Sequence, residues 1–360
     1  MFNDDYWEPP QAVTRLNILE EFYREADRRM LSVGKRFRNE TIGQARACIL
    51  IERFVNRVIN YPTPAYWFRP IAGMQETYIG VQLRQLFSLL GFFDSYHDCS
   101  EHLCAFLYSC WTIESVFSLD LKKISHPDYY PDEETAIALN SIVESIRMCA
   151  QAEWFQRASY DRRYEANAKA DSVAQLTAQV LRYYARTMIV RVDLGYQIVA
   201  RKGLTIDKVY DHWDQFLYLM GRHPVFENLV GYAWSIEQGV DQGFHIHCEF
   251  LFDGSKDRWH VNKGFDVGAV WKQVVGEGGK IFNCNANIKS YDQDRVGIGL
   301  IDRMDSKTCL NSIEEIRYIA KDTQFLRIKP QGRRTFGSSM KPDIEAKRGR
   351  PASQEPEWEY

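Results

Sequence analysis

The stretch Trp234-Ser-Ile-Glu237-Gln-Gly-Val-Asp-Gln-Gly-Phe-His245-Ile-His247-Cys-Glu-Phe-Leu-Phe-Asp-Gly254 decides the fold. It reads as a β-hairpin: an apolar and aromatic run, a loop holding Gly239 and Gly243, then a run rich in Phe, Ile and Leu. Side chains alternate along a strand, so His245 and His247 share one face and Ile246 takes the other. Across an antiparallel hairpin, opposed residues share a face. Glu237 therefore joins the imidazoles whether it pairs with His245 or with His247. Two imidazoles and a carboxylate on one sheet face make a half-built divalent metal site with positions left open for substrate.

A His-X-His pair alone is an ordinary feature of a half-polar strand. Glu237 changes that reading, because three potential ligands would otherwise crowd one face with no packing gain. Glu249 has the same parity but lies beyond a tight three-ligand cluster, and is expected to support the ligands. Oxygen and nitrogen donors with open positions suit Mg²⁺ or Mn²⁺, and the spacing also admits Zn²⁺.

About seventy residues downstream lies Asn311-Ser-Ile-Glu-Glu315-Ile-Arg-Tyr318-Ile-Ala-Lys321. It is expected to open a helix, with Asn311 or Ser312 as N-cap and Glu314 or Glu315 completing a capping box. Tyr318 and Lys321 then stand three residues apart on one helical face. Such a pair is weak evidence until it follows a metal-type hairpin.

Together, the His-hydrophobe-His strand and the Tyr-X-X-Lys helix resemble the HUH endonucleases, the rolling-circle replication initiators and relaxases. The closer likeness is to the prophage-borne inovirus gene-two-product-like replication proteins. Thr187-Met-Ile-Val-Arg191-Val-Asp193-Leu-Gly195-Tyr196 resembles the first strand of that family, and Gly243 to Gly254 its metal strand. Arg317-Tyr318-Ile-Ala-Lys321-Asp322 with Phe325-Leu-Arg327 resembles its nucleophile helix, and Gly332-Arg333-Arg334-Thr335-Phe336-Gly337 the basic segment after it. The likeness covers roughly residues 180 to 340.

The resemblance implies metal ligation by Glu237, His245 and His247, with Tyr318 as nucleophile and Lys321 lowering its pKa or binding phosphate. Only about one free phenol in a thousand is ionised at neutral pH, so some such help is needed. A 5′-phosphotyrosine and a free 3′-hydroxyl would result. Asp322 stands where a closely spaced second tyrosine would be, so a single nucleophile is expected. Arg191, Arg327, Arg333 and Arg334 are expected to contact DNA. The implied partners are single-stranded origin DNA and a host helicase, since the sequence holds no G-X-X-X-X-G-K-[ST] loop of its own.

At 360 residues the chain is long enough for two cores, and its net charge of −3 leaves nucleic-acid binding to local patches. Residues 1–180 read as a helical N-terminal region of unassigned role, with helices near 16–31, 42–58, 75–93, 99–118, 132–157 and 168–185. Breakers at Tyr61-Pro-Thr-Pro64 and His126-Pro-Asp-Tyr-Tyr-Pro131 separate some of them. Residues 181–340 alternate strands and helices, the pattern of an α+β domain with a central antiparallel sheet and helices on one face. Residues 341–360 read as a disordered tail, basic and then acidic, in which Lys347, Arg348 and Arg350 are candidate DNA contacts. The acidic start lacks the order of a signal peptide, and the apolar runs are shorter than the ~20 residues that a bilayer requires. The eight cysteines show no C-X-X-C spacing. Reduced thiols, a cytoplasmic location and no membrane partner are the expectation.

Three functions compete: a site-specific single-strand nickase and rejoiner that starts rolling-circle replication, a non-catalytic DNA-binding regulator on the same scaffold, and a 2-His-1-carboxylate iron oxygenase. The order Glu then His-X-His beside a Tyr-X-X-Lys helix fits the oxygenase poorly.

Overall fold

The computed structural model describes residues 42–71, 73–320, 325–339 and 358. The expected helix over 16–31, and the candidate residues Lys321, Lys347, Arg348 and Arg350, lie outside them. Residues from Gly43 onward form one compact unit.

Capping and breaking residues set the N-terminal elements. Helix α1 (Gln44–Asn60) ends ahead of the Pro62–Pro64 pair. A hairpin the sequence did not announce follows, β1 (Tyr66–Arg69) and β2 (Gly73–Glu76), turned at Gly73 with φ +67°. Helix α2 (Tyr78–Phe87) is capped by Thr77, whose hydroxyl accepts from the Ile79 and Gly80 N–H groups. After β3 (His97–Cys99) come α3 (Glu101–Phe117), the single turn α4 (Leu121–Ile124) and α5 (Glu133–Gln151). Asp132 caps α5, with Glu133 and Glu134 favourably placed at the positive end of its dipole. Helix α6 (Glu153–Tyr183) runs through residue 180 without a break.

The rest builds a sheet. Strand β4 (Arg186–Tyr196) leads to α7 (Ile206–Met220), capped by Thr205. The hairpin is β5 (Leu229–Gly239) and β6 (Gly243–Asp253), closed by Gly239 against Gly243 at φ +69°. Helix α8 (His260–Val275) stops at Gly276, φ +76°. Then come β7 (Gly279–Asn283), β8 (Gly299–Asp302), α9 (Ser306–Arg317), β9 (Ile328–Pro330) and β10 (Phe336–Ser338). The strand order is β10-β5-β6-β4-β7, with β8 also on β4, and every pairing is antiparallel. This is the expected α+β class, with a helical N-terminal region and an antiparallel sheet packed by helices.

Helices cover both faces of the sheet rather than one. Phe250, Trp234 and Tyr196 meet Trp213, Phe216, Phe226 and Trp271 from α7, α8 and the loop before β5. On the other face Ile189, Ala233 and Leu251 join Leu181 of α6 and Ile313 and Ile316 of α9 in one cluster. The reason lies in β6. Its residues 244 to 252 are covered on both faces, Phe244, Ile246, Cys248, Phe250 and Phe252 buried on one and Leu251 with the polar His245, Glu249 and half-buried His247 on the other, so neither face is left to water.

The N-terminal elements are stitched to this sheet. Strand β3 pairs with β9 in a separate two-stranded sheet, and Gln238 Nε2 of β5 donates to the Ala45 carbonyl at 2.5 Å. His97 reaches Asp94 at 2.9 Å and Asp207 at 3.0 Å. Trp358, read from its acidic surroundings as part of a loose tail, is 5% exposed inside the α6–α9 core cluster. Its indole donates to the Arg303 carbonyl at 2.9 Å and Arg182 lies over its ring. The eight cysteines are all free. Among the described residues no helix is long and apolar enough to cross a membrane.

Candidate metal centre

Register places the ligands. Glu237 pairs with His245 and Ser235 with His247, while β4 sets Asp193 opposite His247 and Arg191 opposite Glu249. All of these side chains share the face that α6 and α9 cover at its other end. Ligand atoms of Glu237, His245 and His247 lie within 4.8 Å of one another. The His247 Nε2 atom is 3.2 Å from Glu237 Oε2 and 3.2 Å from His245 Nε2, and His245 Nε2 is 3.9 Å from Glu237 Oε2.

The far ring nitrogens are spoken for. His247 Nδ1 lies 2.5 Å from Asp193 Oδ1, and His245 Nδ1 lies 3.1 Å from the Gly243 carbonyl oxygen. With Nδ1–H donated in each ring, both Nε2 lone pairs converge beside a carboxylate oxygen. Three electron-rich atoms at this spacing repel one another unless a cation or a proton lies among them. Holding the second nitrogen of a ligating imidazole in this way is how proteins fix its tautomer and aim. Close backbone also helps: a Cβ on Gly239 would stand 3.3 Å from the His245 ring and one on Gly195 would stand 3.6 Å from its Cβ.

The electrostatics agree. Burial disfavours the charged form of His247, but hydrogen bonds and charge from Asp193 and Glu237 outweigh it and lift its pKa to about 9. His245 is shifted the other way, by burial and by the charge of His247. Asp193 is held below the usual carboxylate range, the His247 bond and nearby cations overcoming its burial. Without a metal, then, the cluster keeps one proton, on His247. Two imidazoles and a carboxylate form a triad that could hold a metal ion.

Glu249 takes a different part from the one expected. It is 1% exposed, neither carboxylate oxygen has a hydrogen-bond partner, and burial together with the Glu315 charge raises its pKa. It does not hold the imidazoles; Asp193 and the Gly243 carbonyl do. The sequence reading missed both, although Asp193 lay in a segment it had quoted.

Helix α9 starts five residues or more before the expected caps. Asp305 is the N-cap, accepting from the Thr308 N–H at 3.1 Å and its hydroxyl at 2.6 Å. Asn311 is spent instead on the Asp294 and Val296 carbonyls. Tyr318 consequently stands at the C-cap, φ −64° and ψ −22°, with 55% of its surface exposed. The 3-10 turn Tyr318–Ala320 follows it. Tyr291 approaches the same face from beyond β7; burial and its contact with Cys284 raise its pKa, and Asp193 and Arg191 act on it.

The arginines named from sequence have separate fates. Arg191 meets Glu315 at 3.0 Å. Arg327 is committed to Glu52 at 2.5 Å and to the Gln238 carbonyl at 3.2 Å, holding the N-terminal helices to the hairpin. Arg333 pairs with Asp214 at 2.5 Å and lies over the Tyr210 ring. Arg334 is exposed, and its carbonyl accepts from the Tyr210 hydroxyl.

No curated protein matches this chain, and no solved structure does. A family model does: the YagK/YfjJ C-terminal domain, over residues 155–339, from the start of α6 through β10. That span takes in the sheet, the three converging donors and the Tyr318 segment, and the family is found in prophage-type proteins. The chain belongs to the YagK/YfjJ C-terminal domain family.

Proposed function

We propose that this protein is an HUH-type endonuclease and strand transferase that nicks and rejoins single-stranded DNA at one site, starting rolling-circle replication of a prophage or related mobile element. The observation that carries the reading is the convergence of two imidazole Nε2 atoms and a carboxylate oxygen, with each Nδ1 tied back, on the sheet face that also carries the Tyr318 segment. A structural pair of strand histidines would also need partners for its buried nitrogens, but has no need to bring both Nε2 atoms to one carboxylate oxygen.

A bound divalent ion would coordinate a non-bridging phosphate oxygen and stabilise charge on the phosphorane. Glu237, His245 and His247 hold that position, and Asp193 keeps His247 in the ligating tautomer. The exposed Tyr318 phenol is the nucleophile. Its oxygen forms a bond to phosphorus as the phosphorus–O3′ bond breaks. The phenol proton passes to solvent and the departing 3′-oxygen takes one up. The 5′-phosphotyrosine conserves the energy of the broken bond, so attack by a 3′-hydroxyl re-ligates the strand. Lys321 is assigned the phosphate or the phenolate, and the exposed Arg334 with Lys347, Arg348 and Arg350 the DNA backbone. Origin DNA and a host helicase are the partners, in the cytoplasm. The regulator reading leaves the doubly restrained donor set without a use.

Incubation with single-stranded fragments of the element's own replication region and Mn²⁺ tests this. The expected product is a protein–oligonucleotide adduct mapping to Tyr318, lost in Tyr318→Phe while DNA binding survives. A nucleotide on another tyrosine, or metal-independent binding with no adduct from any fragment, overturns the assignment.

A further inference from the structure

We infer that Glu315, through its bond to Arg191, is a positioning residue that sets the Tyr318 phenol relative to the metal centre. The inference rests on the function proposed above and names a part of that site no sequence motif marked.

Its foundation is the edge of β4. Strand β7 pairs with Val192–Tyr196 and β8 with Arg186–Ile189, so the edge changes partner between them. The Asn285 side chain fills the interval, accepting from the Arg191 N–H at 2.8 Å and donating to the Ile189 carbonyl at 2.8 Å. The root of Arg191 is thereby fixed. Its guanidinium donates to Glu315 Oε1 at 3.0 Å, and Glu315 Oε2 accepts from the Gly297 N–H at 3.0 Å. Both oxygens of that carboxylate are used, one toward the sheet and one toward the loop before β8. The loop itself presses on α9, where a Cβ on Gly297 would meet the Asn311 backbone at 2.6 Å.

Two short steps link this strut to the chemistry. Arg191 and Asp193 are two residues apart on one strand face, about 7 Å along it, and Asp193 holds His247. Tyr318, the C-cap of α9 with helical φ and ψ, stands three residues after Glu315 and hence on the same helix face. One path therefore runs from His247 through Asp193, β4, Arg191 and Glu315 to Tyr318. The apolar contacts of Ile313 and Ile316 already bind α9 to the sheet, but such contacts are non-directional. A largely buried ion pair adds little net stability, and its best-attested use is to fix register.

The test uses full-length protein labelled with 3-fluorotyrosine, the Tyr318 resonance being identified by its loss in Tyr318→Phe. In the wild type, Mn²⁺ should broaden that ¹⁹F resonance. Glu315→Gln, nearly isosteric, should leave Mn²⁺ affinity within twofold. It should at least halve the broadening and slow single-turnover adduct formation at saturating DNA tenfold or more. Arg191→Lys, which keeps a cation beside Glu249, should shift both readouts the same way by less. Unchanged broadening and rate in Glu315→Gln overturn the inference and leave the proposed function standing. A loss of Mn²⁺ affinity matching the loss of rate also overturns it, since Glu315 would then serve the centre itself. No broadening of Tyr318 in the wild type overturns the proposed function and the inference together.

Discussion

The two ends of one sheet face carry the same alternation and do opposite things. At one end Ile189, Ala233 and Leu251 lie under Ile313 and Ile316 of α9. At the other, in the same strands, stand Asp193, Glu237, His245 and His247. Burial separates them only in part, for His245 is 2% and Glu237 4% exposed, much like the core, while the His247 and Asp193 side chains are each 17% exposed. The difference is in how the groups are satisfied. Apolar residues need only cover, whereas buried polar groups need partners, and these partners leave three donor atoms aimed at one point. A polar cluster that ties back both Nδ1 atoms and leaves both Nε2 atoms beside a carboxylate oxygen has the arrangement a metal ion would need.

The largest contrast should come from truncating each end in turn. His245→Ala with His247→Ala should lower Mn²⁺ affinity by at least about a hundredfold, beyond the usual cost of losing a supporting contact. Leu251→Ala should cost about 2–5 kcal/mol of folding stability while the folded protein keeps its Mn²⁺ affinity within a few fold. Calorimetric titration and thermal unfolding read the two. If the double histidine variant still takes up Mn²⁺ as the wild type does, the polar end is an ordinary hydrogen-bonded patch and the contrast collapses.

A smaller effect should come from the group that aims His247. Asp193→Asn keeps the shape but offers His247 Nδ1 a weaker, uncharged acceptor. A loss of about 10- to 100-fold in metal affinity is expected, with the hairpin register unchanged by NMR. An affinity equal to wild type would mean that Asp193 merely neutralises His247. Glu249→Gln, on the same face but off the ligands, is the control and should change Mn²⁺ affinity least.

Much of this contrast was legible from residue order alone. The hairpin, its shared face and the three donors follow from parity, which leaves Glu237 opposite either histidine; the structure closes Gly239 on Gly243 and so sets Glu237 opposite His245. What sequence could not supply was anything that depends on strands meeting from afar. Asp193 lies 54 residues from His247, joined to it by a pairing that no local spacing encodes. The second helical layer was missed for a similar reason, since one apolar strand does not say which helices will cover each face. Helix α9 begins earlier than its sequence suggests because two capping signals compete there, and Asp305 secures two bonds with Thr308 while Asn311 is drawn to the loop before β8. Trp358 shows the limit of composition: a lone ring in an acidic run reads as solvated, yet one ring with an indole N–H partner suffices to dock it.

The smallest and sharpest difference concerns protons. His247 has a pKa raised to about 9 and His245 one below its ordinary value. At neutral pH His247 alone carries a second ring proton, and a metal must displace it to bind. Mn²⁺ affinity should therefore rise about tenfold per pH unit up to roughly pH 9 and then level, since one proton is released per ion. From pH 6.5 to 8.5 that is about a hundredfold. Two independent histidines of ordinary pKa would give an affinity nearly flat above pH 7. The metal-free protein should show the opposite sign. A histidine whose folded pKa exceeds its unfolded value contributes stability that is fully present below about pH 6.5 and is lost as pH rises through about 9. Unfolding with and without Mn²⁺ across this window should thus give curves that diverge with pH. Curves that run parallel would show that His247 does not hold the proton, and with it would go the account of Asp193 and Glu237 as the groups that place it there.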